Sequence, residues 1–203
     1  MTVTLHHGDI PVGLDFGTAV AVDTETMGLS LVRDRLCLVQ LSAGDGTAHL
    51  VQFSPGAYEA PRLKKLLTDP KVTKIFHFGR FDIAFLHTHL GVLTAPVYCT
   101  KIASKLARTY APHHGLKALC STLLGVELDK QQQTTDWGAQ ALTAEQLSYA
   151  ASDVLYLHKL REKLNLLLQR EGREQLAQAC FDFLPHRALL DMAGWSEEDI
   201  FAH

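Results

Sequence analysis

Segments typical of β-strands occur only in the first half of this 203-residue chain, and that distribution constrains the fold more than any other feature. Runs of apolar and β-branched residues, separated by polar or glycine-containing joints, predict five strands. They cover residues 17–25, 35–42, 48–53, 72–78 and 96–99. This order of elements predicts an α/β fold, in which helices flank both faces of a mixed five-stranded sheet and the C-terminal half is helical.

Helical patterns lie between the later strands and occupy almost all of the chain after Thr100. Thr143, followed by Gln146 three residues later, predicts a capping box at the start of a long helix. The predicted helices begin at Pro61 and then cover 80–90, 101–110, 115–124, 143 to about 169 and, with a break at Pro185, the segment from 173 onward.

Length and charge limit the number of domains and the kind of partner. The chain is 47% hydrophobic, long enough to bury one substantial core and short for two, so we expect a single domain over 1–203. Its formal charge of -3 contrasts with the strongly basic surface of proteins that hold long nucleic acids. A nucleic-acid substrate would therefore be short or bound locally.

Targeting signals and cysteine spacing indicate the compartment. Residues 1–9 show no basic segment followed by an apolar one, and no apolar run approaches about 18 residues. The four cysteines are far apart and lack a Cys-x-x-Cys spacing, which favours reduced thiols. We therefore expect a cytoplasmic protein with no membrane association.

Four carboxylates and one phenol have spacings that suit a shared metal site. Asp23 and Glu25 are two apart on a predicted strand, so their side chains share a face. Tyr149 and Asp153 are four apart on a predicted helix, so they are neighbours on its surface. Asp82 follows an apolar run. Together these groups predict a Mg²⁺ or Mn²⁺ site for phosphodiester chemistry, because converging carboxylates would repel one another without a cation.

Each piece of this pattern also has an ordinary explanation. An acidic pair at the end of a strand is often a solvated turn, and Asp82 alone is compatible with a helix surface. Tyr149 and Asp153 could form a half-buried helix pair. A protein that binds RNA or acts as a scaffold without catalysis is the alternative of a different class, although such a protein would have little reason to retain four repelling carboxylates.

Three segments resemble the motifs of the DEDD exonuclease superfamily, in its tyrosine-containing branch. They read Val22-Asp23-Thr24-Glu25-Thr26, Phe76-His77-Phe78-Gly79-Arg80-Phe81-Asp82 and Tyr149-Ala150-Ala151-Ser152-Asp153. The segment 128–137 resembles the one that precedes the third motif in relatives of ribonuclease D. Segments 99–106 and 194–201 are most similar to the nanoRNase C family.

The resemblance implies an RNase H-like sheet, two divalent cations and 3′-to-5′ hydrolysis that releases nucleoside 5′-monophosphates. It assigns Asp23, Glu25 and Asp153 to the first cation, Asp23 also to the second, and Asp82 to the second directly or through water. Tyr149 would orient the attacking water, since its ordinary pKa near 10 makes it a poor base at neutral pH.

Similarity to nanoRNase C further implies a ring-like homo-oligomer, an octamer, that degrades very short RNAs and especially dinucleotides. About 30 residues follow the predicted helix with the third motif, too few for the helical nucleic-acid-binding domains of full-length ribonuclease D. Apolar residues near the C-terminus, in excess of what one terminal helix needs to bury, also favour an oligomer. A general ribonuclease D-type exonuclease for longer RNA or DNA is the second interpretation.

Candidate substrate-binding residues surround these motifs. Leu29 corresponds to an apolar wedge between bases in the relatives, but a leucine packed on the core is an equal alternative. Basic side chains that could neutralise substrate phosphates are His77, Arg80, Lys101, Lys105, Arg108 and Lys130, although for any single one of them a solvated surface role is the stronger interpretation. The 11 histidines do not predict zinc, because their pairs lack helical i, i+4 spacing or cysteine partners.

Overall fold

A mixed sheet of six strands runs through the computed structural model, which describes residues 2–128 and 135–203. The strands are β1 (Thr2–His7), β2 (Ala19–Thr26), β3 (Leu36–Ser42), β4 (Thr47–Gln52), β5 (Thr73–Phe76) and β6 (Val97–Cys99). Their order across the sheet is β1-β4-β3-β2-β5-β6. Strand β3 is antiparallel to both of its neighbours, and the other pairs are parallel. The predicted mixed sheet is confirmed, and the strand with Asp23 and Glu25 is interior.

The sheet has one strand more than the five predicted. The additional strand is β1, which pairs in parallel with β4 from Thr2 opposite Thr47 to His7 opposite Gln52. Residues 2–5 do alternate polar and apolar side chains, but this run is short, and the parallel partner lies far along the chain. The sequence analysis therefore missed this edge strand.

The helices among the described residues follow the predicted order. They are α1 (Pro61–Thr68), α2 (Arg80–Leu90), α3 (Thr100–Ala107), α4 (Leu116–Leu119) with a π-helical turn (Cys120–Leu124), α5 (Ala144–Leu155), α6 (Leu157–Arg170) and α7 (Glu174–Met192). No strand lies in the described part of the chain after Cys99, so the helical C-terminal half is confirmed. None of the described helices is long and apolar enough to cross a membrane.

Two helices differ from the prediction. The long helix expected from residue 143 is interrupted at Tyr156, which separates α5 from α6. Helix α7 instead continues through Pro185, where a break was predicted. Pro185 is buried and α7 packs against α2, α3 and β6, so tertiary contacts stabilise a helix that has lost a backbone hydrogen bond.

The capping box is confirmed at the start of α5. The Gln146 backbone N–H donates to Thr143 Oγ1 at 3.2 Å, and the Thr143 N–H donates to Gln146 Oε1 at 2.9 Å. Helix α5 packs across β2, β3 and β4. A small apolar cluster beneath it contains Leu38, Trp137 and Ala150. This packing fixes the helix that carries Tyr149 and Asp153 over the acidic strand.

Candidate active site

Three carboxylates from β2 and α5 form one tight group. One oxygen each from Asp23, Glu25 and Asp153 lies within 4.8 Å of the others. The two strand residues reach this position because they are two apart on β2 and share a face. Among the described residues this is the only group of three or more side chains that could ligate a metal ion together.

Asp82 lies beside this group, on the first turn of α2. The side chain is buried, and its Oδ1 accepts a hydrogen bond from the Thr24 hydroxyl at 2.6 Å. Two residues before α2, Phe78 has a φ of 68°, a left-handed conformation that is strained for an aromatic residue. This turn directs the start of α2, and with it Asp82, toward β2.

Burial and mutual repulsion raise the pKa of the clustered carboxyls. For Asp23 the pKa is well above its ordinary value because the group is buried and lies near Asp82, Asp153 and Glu25. Burial, with repulsion from Asp153 and Asp82, raises the pKa of Glu25 to about 9. Burial also raises the pKa of Asp82 to about 7, against the lowering effect of the Thr24 hydrogen bond. Without a cation, the cluster retains protons at neutral pH.

Tyr149 remains a protonated phenol at this site. Burial is the largest cause of its raised pKa, and the negative charges of Asp153, Glu25 and Asp23 raise the pKa further. Its ring lies 6.1 Å from that of Trp137, which is buried beneath it. The hydroxyl therefore stays a hydrogen-bond donor, here to the Asp153 carboxylate, and is unsuited to act as a base.

A cavity of about 690 Å³ opens beside the carboxylates and Tyr149. Of the predicted substrate-binding residues, Leu29, His77 and Lys101 line it. Leu29 is 82% exposed, so it extends from the surface and does not pack in the core. The Lys101 ammonium lies 4.0 Å from the centre of the Phe78 ring, a cation–π contact at the cavity wall. Phe81, Leu116 and Trp137 supply further apolar lining.

His77 is an uncharged hydrogen-bonding group in this cavity. Its Nδ1 lies 2.8 Å from Thr100 Oγ1, and burial together with the Lys101 charge lowers its pKa to about 3. At neutral pH the imidazole can offer a phosphate a hydrogen bond but no positive charge.

Three other predicted basic residues, all among the described ones, do not line this cavity. Arg80 forms an ion pair with Asp191 of α7 and also donates to the Ser196 carbonyl. Arg108 is buried, with Nη1 3.5 Å from Ser104 Oγ. Lys105 is exposed and lines a second cavity. Lys130 lies outside the described residues.

The second cavity adjoins the first and has a volume of about 640 Å³. Lys101 and Lys117 line both cavities, and Lys105, His113 and His114 line the second alone. The sequence interpretation omitted Lys117, because an exposed lysine on a short helix has no distinguishing pattern. It also omitted Gln40 and Thr24, whose positions depend on the pairing of β2 with its neighbours.

Comparison with known proteins identifies the class. A family model described as 3′-5′ exonuclease matches residues 13–169, and the chain belongs to this family. Over its whole length the chain is similar to Brucella melitensis NrnC. It is 54% identical to NrnC with bound Mg²⁺, covering 100% of both chains with a TM-score of 0.96. It is 55% identical to NrnC bound to pGG, covering 100% of this chain and 99% of that one with a TM-score of 0.97.

Curated relatives show that part of the chain is similar to ribonuclease D. Ribonuclease D of Acidiphilium cryptum is 37% identical over 154 residues, which are 76% of this chain and 39% of that protein. The chain thus spans about two fifths of the length of the curated ribonuclease D relatives it matches. The resemblance to nanoRNase C and ribonuclease D, and with it the RNase H-like exonuclease fold, is confirmed.

Proposed function

We propose that this protein is a metal-dependent 3′-5′ exoribonuclease that acts on very short RNAs, especially dinucleotides, and releases nucleoside 5′-monophosphates. The observation that carries the proposal is the group formed by Asp23, Glu25 and Asp153, with oxygens within 4.8 Å of one another at the edge of a 690 Å³ cavity. Membership of the 3′-5′ exonuclease family supports the reaction type.

The donor set fits hard divalent cations. Carboxylate oxygens are the ligands that Mg²⁺ and Mn²⁺ prefer. The raised pKa values of Glu25 and Asp82 indicate that the ionised carboxylates are unfavourable until a cation compensates their negative charge. Asp23, Glu25 and Asp153 would hold one cation, and Asp23 with Asp82 a second. The relative solved with bound Mg²⁺ supports the choice of cation. When bound, the two cations would activate a water and stabilise negative charge on the leaving oxygen.

The protein's own side chains would bind and orient the substrate. Tyr149, protonated beside Asp153, would donate a hydrogen bond that orients the attacking water. Lys101 would contribute positive charge to the phosphates, and neutral His77 a hydrogen bond. Leu29, exposed at the cavity edge, would insert between two bases.

The dimensions and lining of the site support a short substrate. A volume of about 690 Å³ lies within the roughly 300–1,000 Å³ of small-ligand sites. Phe78 and Phe81 offer apolar surface for bases, and the relative bound to pGG supports binding of a dinucleotide. The adjoining cavity with Lys101, Lys105 and Lys117 could hold the 5′ phosphate through charge-assisted hydrogen bonds.

Two alternative functions would give different reaction products. A general ribonuclease D-type exonuclease would degrade long RNA or DNA as efficiently as short RNA, and the ribonuclease D relatives favour this interpretation. A protein that only binds RNA would release no mononucleotide. The retention of all four acidic positions and Tyr149 argues against the binding interpretation.

A labelled substrate series separates these possibilities. RNA and DNA of two to about twenty nucleotides would be incubated with Mn²⁺, and the products resolved. Stepwise loss of 5′-monophosphates from the 3′ end is expected, fastest for the shortest RNAs. Asp153→Asn is the matched control that should eliminate turnover while leaving the protein folded. Full turnover in excess EDTA would contradict a metal-dependent reaction.

The assembly is proposed to be a homo-oligomer, an octamer by similarity. Phe183, Trp195 and Phe201 are exposed near the C-terminus, with the Phe183 and Phe201 rings 6.0 Å apart. Phe181 and Leu184, two further apolar residues of this segment, are buried in the core and leave less apolar surface than the sequence suggested. Light scattering should report a multiple of 22.4 kDa, and a monomer at micromolar concentration would contradict this proposal.

A cytoplasmic location remains a prediction of the sequence.

A further inference from the structure

Gln40 on β3 lies directly opposite Asp23 in the antiparallel pairing of β2 with β3. Side chains of directly opposite residues lie on the same face of a sheet. The Gln40 side chain therefore shares a face with Asp23 and Glu25, and it is completely buried. A polar side chain in this position needs a specific explanation, because burying an amide is costly unless it forms hydrogen bonds.

The Gln40 amide nitrogen lies between the two strand carboxylates. Its Nε2 is 3.5 Å from Asp23 Oδ2 and 3.5 Å from Glu25 Oε1. The amide has two N–H donors, so one can be directed to each carboxylate. When a bound cation keeps both carboxylates ionised, the opposite orientation of the amide would place its carbonyl oxygen against two negative charges, so electrostatics favours this one.

The carbonyl end of the amide does not explain why a glutamine occupies this position. Gln40 Oε1 is buried and has no hydrogen-bond partner among the described residues. An apolar side chain of similar size would remove this unpaired acceptor and fill the same space. The carboxylates are therefore the groups that make a glutamine useful here.

From this geometry we infer that Gln40 is a positioning residue that fixes Asp23 and Glu25 for cation binding; the inference rests on the proposed metal-dependent function. The amide holds one oxygen of each carboxylate. It does so without a positive charge, so the negative charge that attracts the cation is preserved. A lysine would neutralise part of that charge, and a glutamate would add a fifth carboxylate.

Removing a residue that hydrogen-bonds to a metal ligand typically lowers metal affinity by about 10–100-fold. The test measures Mn²⁺ binding to the cation-free protein by calorimetry, alongside thermal unfolding. Gln40→Met preserves the length of the side chain and removes both donors. Its affinity for Mn²⁺ should fall by about 10–100-fold while the unfolding temperature without cation is maintained. At saturating Mn²⁺ the variant should show a lower kcat with KM for a short RNA little changed.

Gln52 provides a matched control on the adjacent strand β4. It is also buried, its Oε1 also lacks a partner among the described residues, and its Nε2 donates to the Ala139 carbonyl at 2.9 Å. Gln52→Met should therefore retain the wild-type affinity for Mn²⁺. An equal loss in both variants would show a general effect on the sheet and would overturn the inference.

A shorter amide tests the same point if Gln40→Met fails to fold. Gln40→Asn retains polarity but is one methylene shorter, roughly 1.5 Å, so it cannot reach the carboxylates and should show the same loss of affinity. Wild-type Mn²⁺ affinity in Gln40→Asn, or in a folded Gln40→Met, would overturn the positioning role. A wild-type protein that binds no Mn²⁺ would instead contradict the proposed function itself.

Discussion

The Thr24 hydroxyl donates a hydrogen bond of 2.6 Å to Asp82 Oδ1, which joins the acidic strand β2 to helix α2. Thr24 lies between Asp23 and Glu25 in sequence, so its side chain points to the opposite face of the strand. Both partners are buried. Through this bond Thr24 orients the Asp82 carboxyl from the face of β2 opposite to Asp23 and Glu25. The bond also opposes the rise in the pKa of Asp82 that burial causes.

Replacing Thr24 should weaken both the fold and the site. Thr24→Val preserves the shape of the side chain and removes the hydroxyl donor, so the buried Asp82 carboxyl keeps only its backbone hydrogen bonds. We expect a loss of about 1–3 kcal/mol in the free energy of unfolding and a decrease in kcat of about tenfold or more. Urea denaturation and single-turnover kinetics would measure the two effects. Thr24→Ser, which retains the hydroxyl, is the control, and wild-type behaviour of the valine variant would exclude this role.

The raised pKa of Glu25 predicts an unusual pH dependence of stability without a cation. Its folded-state pKa is about 9, against an ordinary value of 4.5, so the folded state binds the extra proton between these values. The stabilisation is fully present below pH 4.5 and is lost as the pH rises through 9. The free energy of unfolding in EDTA should therefore fall by about 1–3 kcal/mol more between pH 7 and 9 in the wild type than in Glu25→Gln.

Saturating Mg²⁺ should abolish this difference in pH dependence for the wild type, because a cation replaces the proton as the partner of the carboxylate. Cation binding near pH 7 should accordingly release protons, which calorimetry in buffers of different ionisation enthalpy would detect. Equal slopes of stability with pH in the wild type and Glu25→Gln would show that Glu25 is ionised without a cation, contrary to its burial.

Tyr149→Phe tests the hydroxyl that would orient the attacking water. The phenylalanine ring would retain the contact with Trp137, so the fold should be unaffected. We expect kcat to decrease by about 10²-fold or more with KM nearly unchanged, because the hydroxyl would act mainly in the transition state. Steady-state kinetics at saturating Mn²⁺ gives both constants. A wild-type rate would remove Tyr149 from the mechanism.

Local periodicity was sufficient to predict how the acidic residues are grouped. The two-residue period of a strand placed Asp23 and Glu25 on one face, and the four-residue spacing on a helix placed Tyr149 beside Asp153. The structure brings three of the four carboxylates into one group. The contact of Asp82 with Thr24 was not predictable, because it depends on how α2 packs against β2.

The features of the fold and site that sequence analysis missed depend on strand pairing between residues far apart in the sequence. Gln40 is opposite Asp23 only because of the register between β2 and β3, and β1 is a strand only through its parallel partner β4. Charge was also misleading for single basic residues. Arg80 is bound to Asp191 and His77 is half-buried and neutral, and neither environment is visible in the sequence.

Leu29 and the basic cavity together predict a preference for substrate length. Leu29 is exposed at the edge of the site cavity, and the cavity with Lys101, Lys105 and Lys117 adjoins it. A phosphorylated dinucleotide could use both features, with its bases separated by Leu29 and its 5′ phosphate in the basic cavity. An additional nucleotide would replace that terminal phosphate with a diester of lower charge and weaken the charge-assisted hydrogen bonds.

We therefore expect kcat/KM for a 5′-phosphorylated dinucleotide to exceed that for a seven-nucleotide RNA of related sequence by about tenfold or more, a difference of about 1.4 kcal/mol. Leu29→Ala should reduce this ratio, because it removes the apolar side chain between the bases. Val32→Ala is the matched control, since Val32 is an exposed apolar residue on the same loop that does not line the cavity. If the wild type degrades the longer RNA equally well and processively to its end, the general exonuclease interpretation replaces the dinucleotide one.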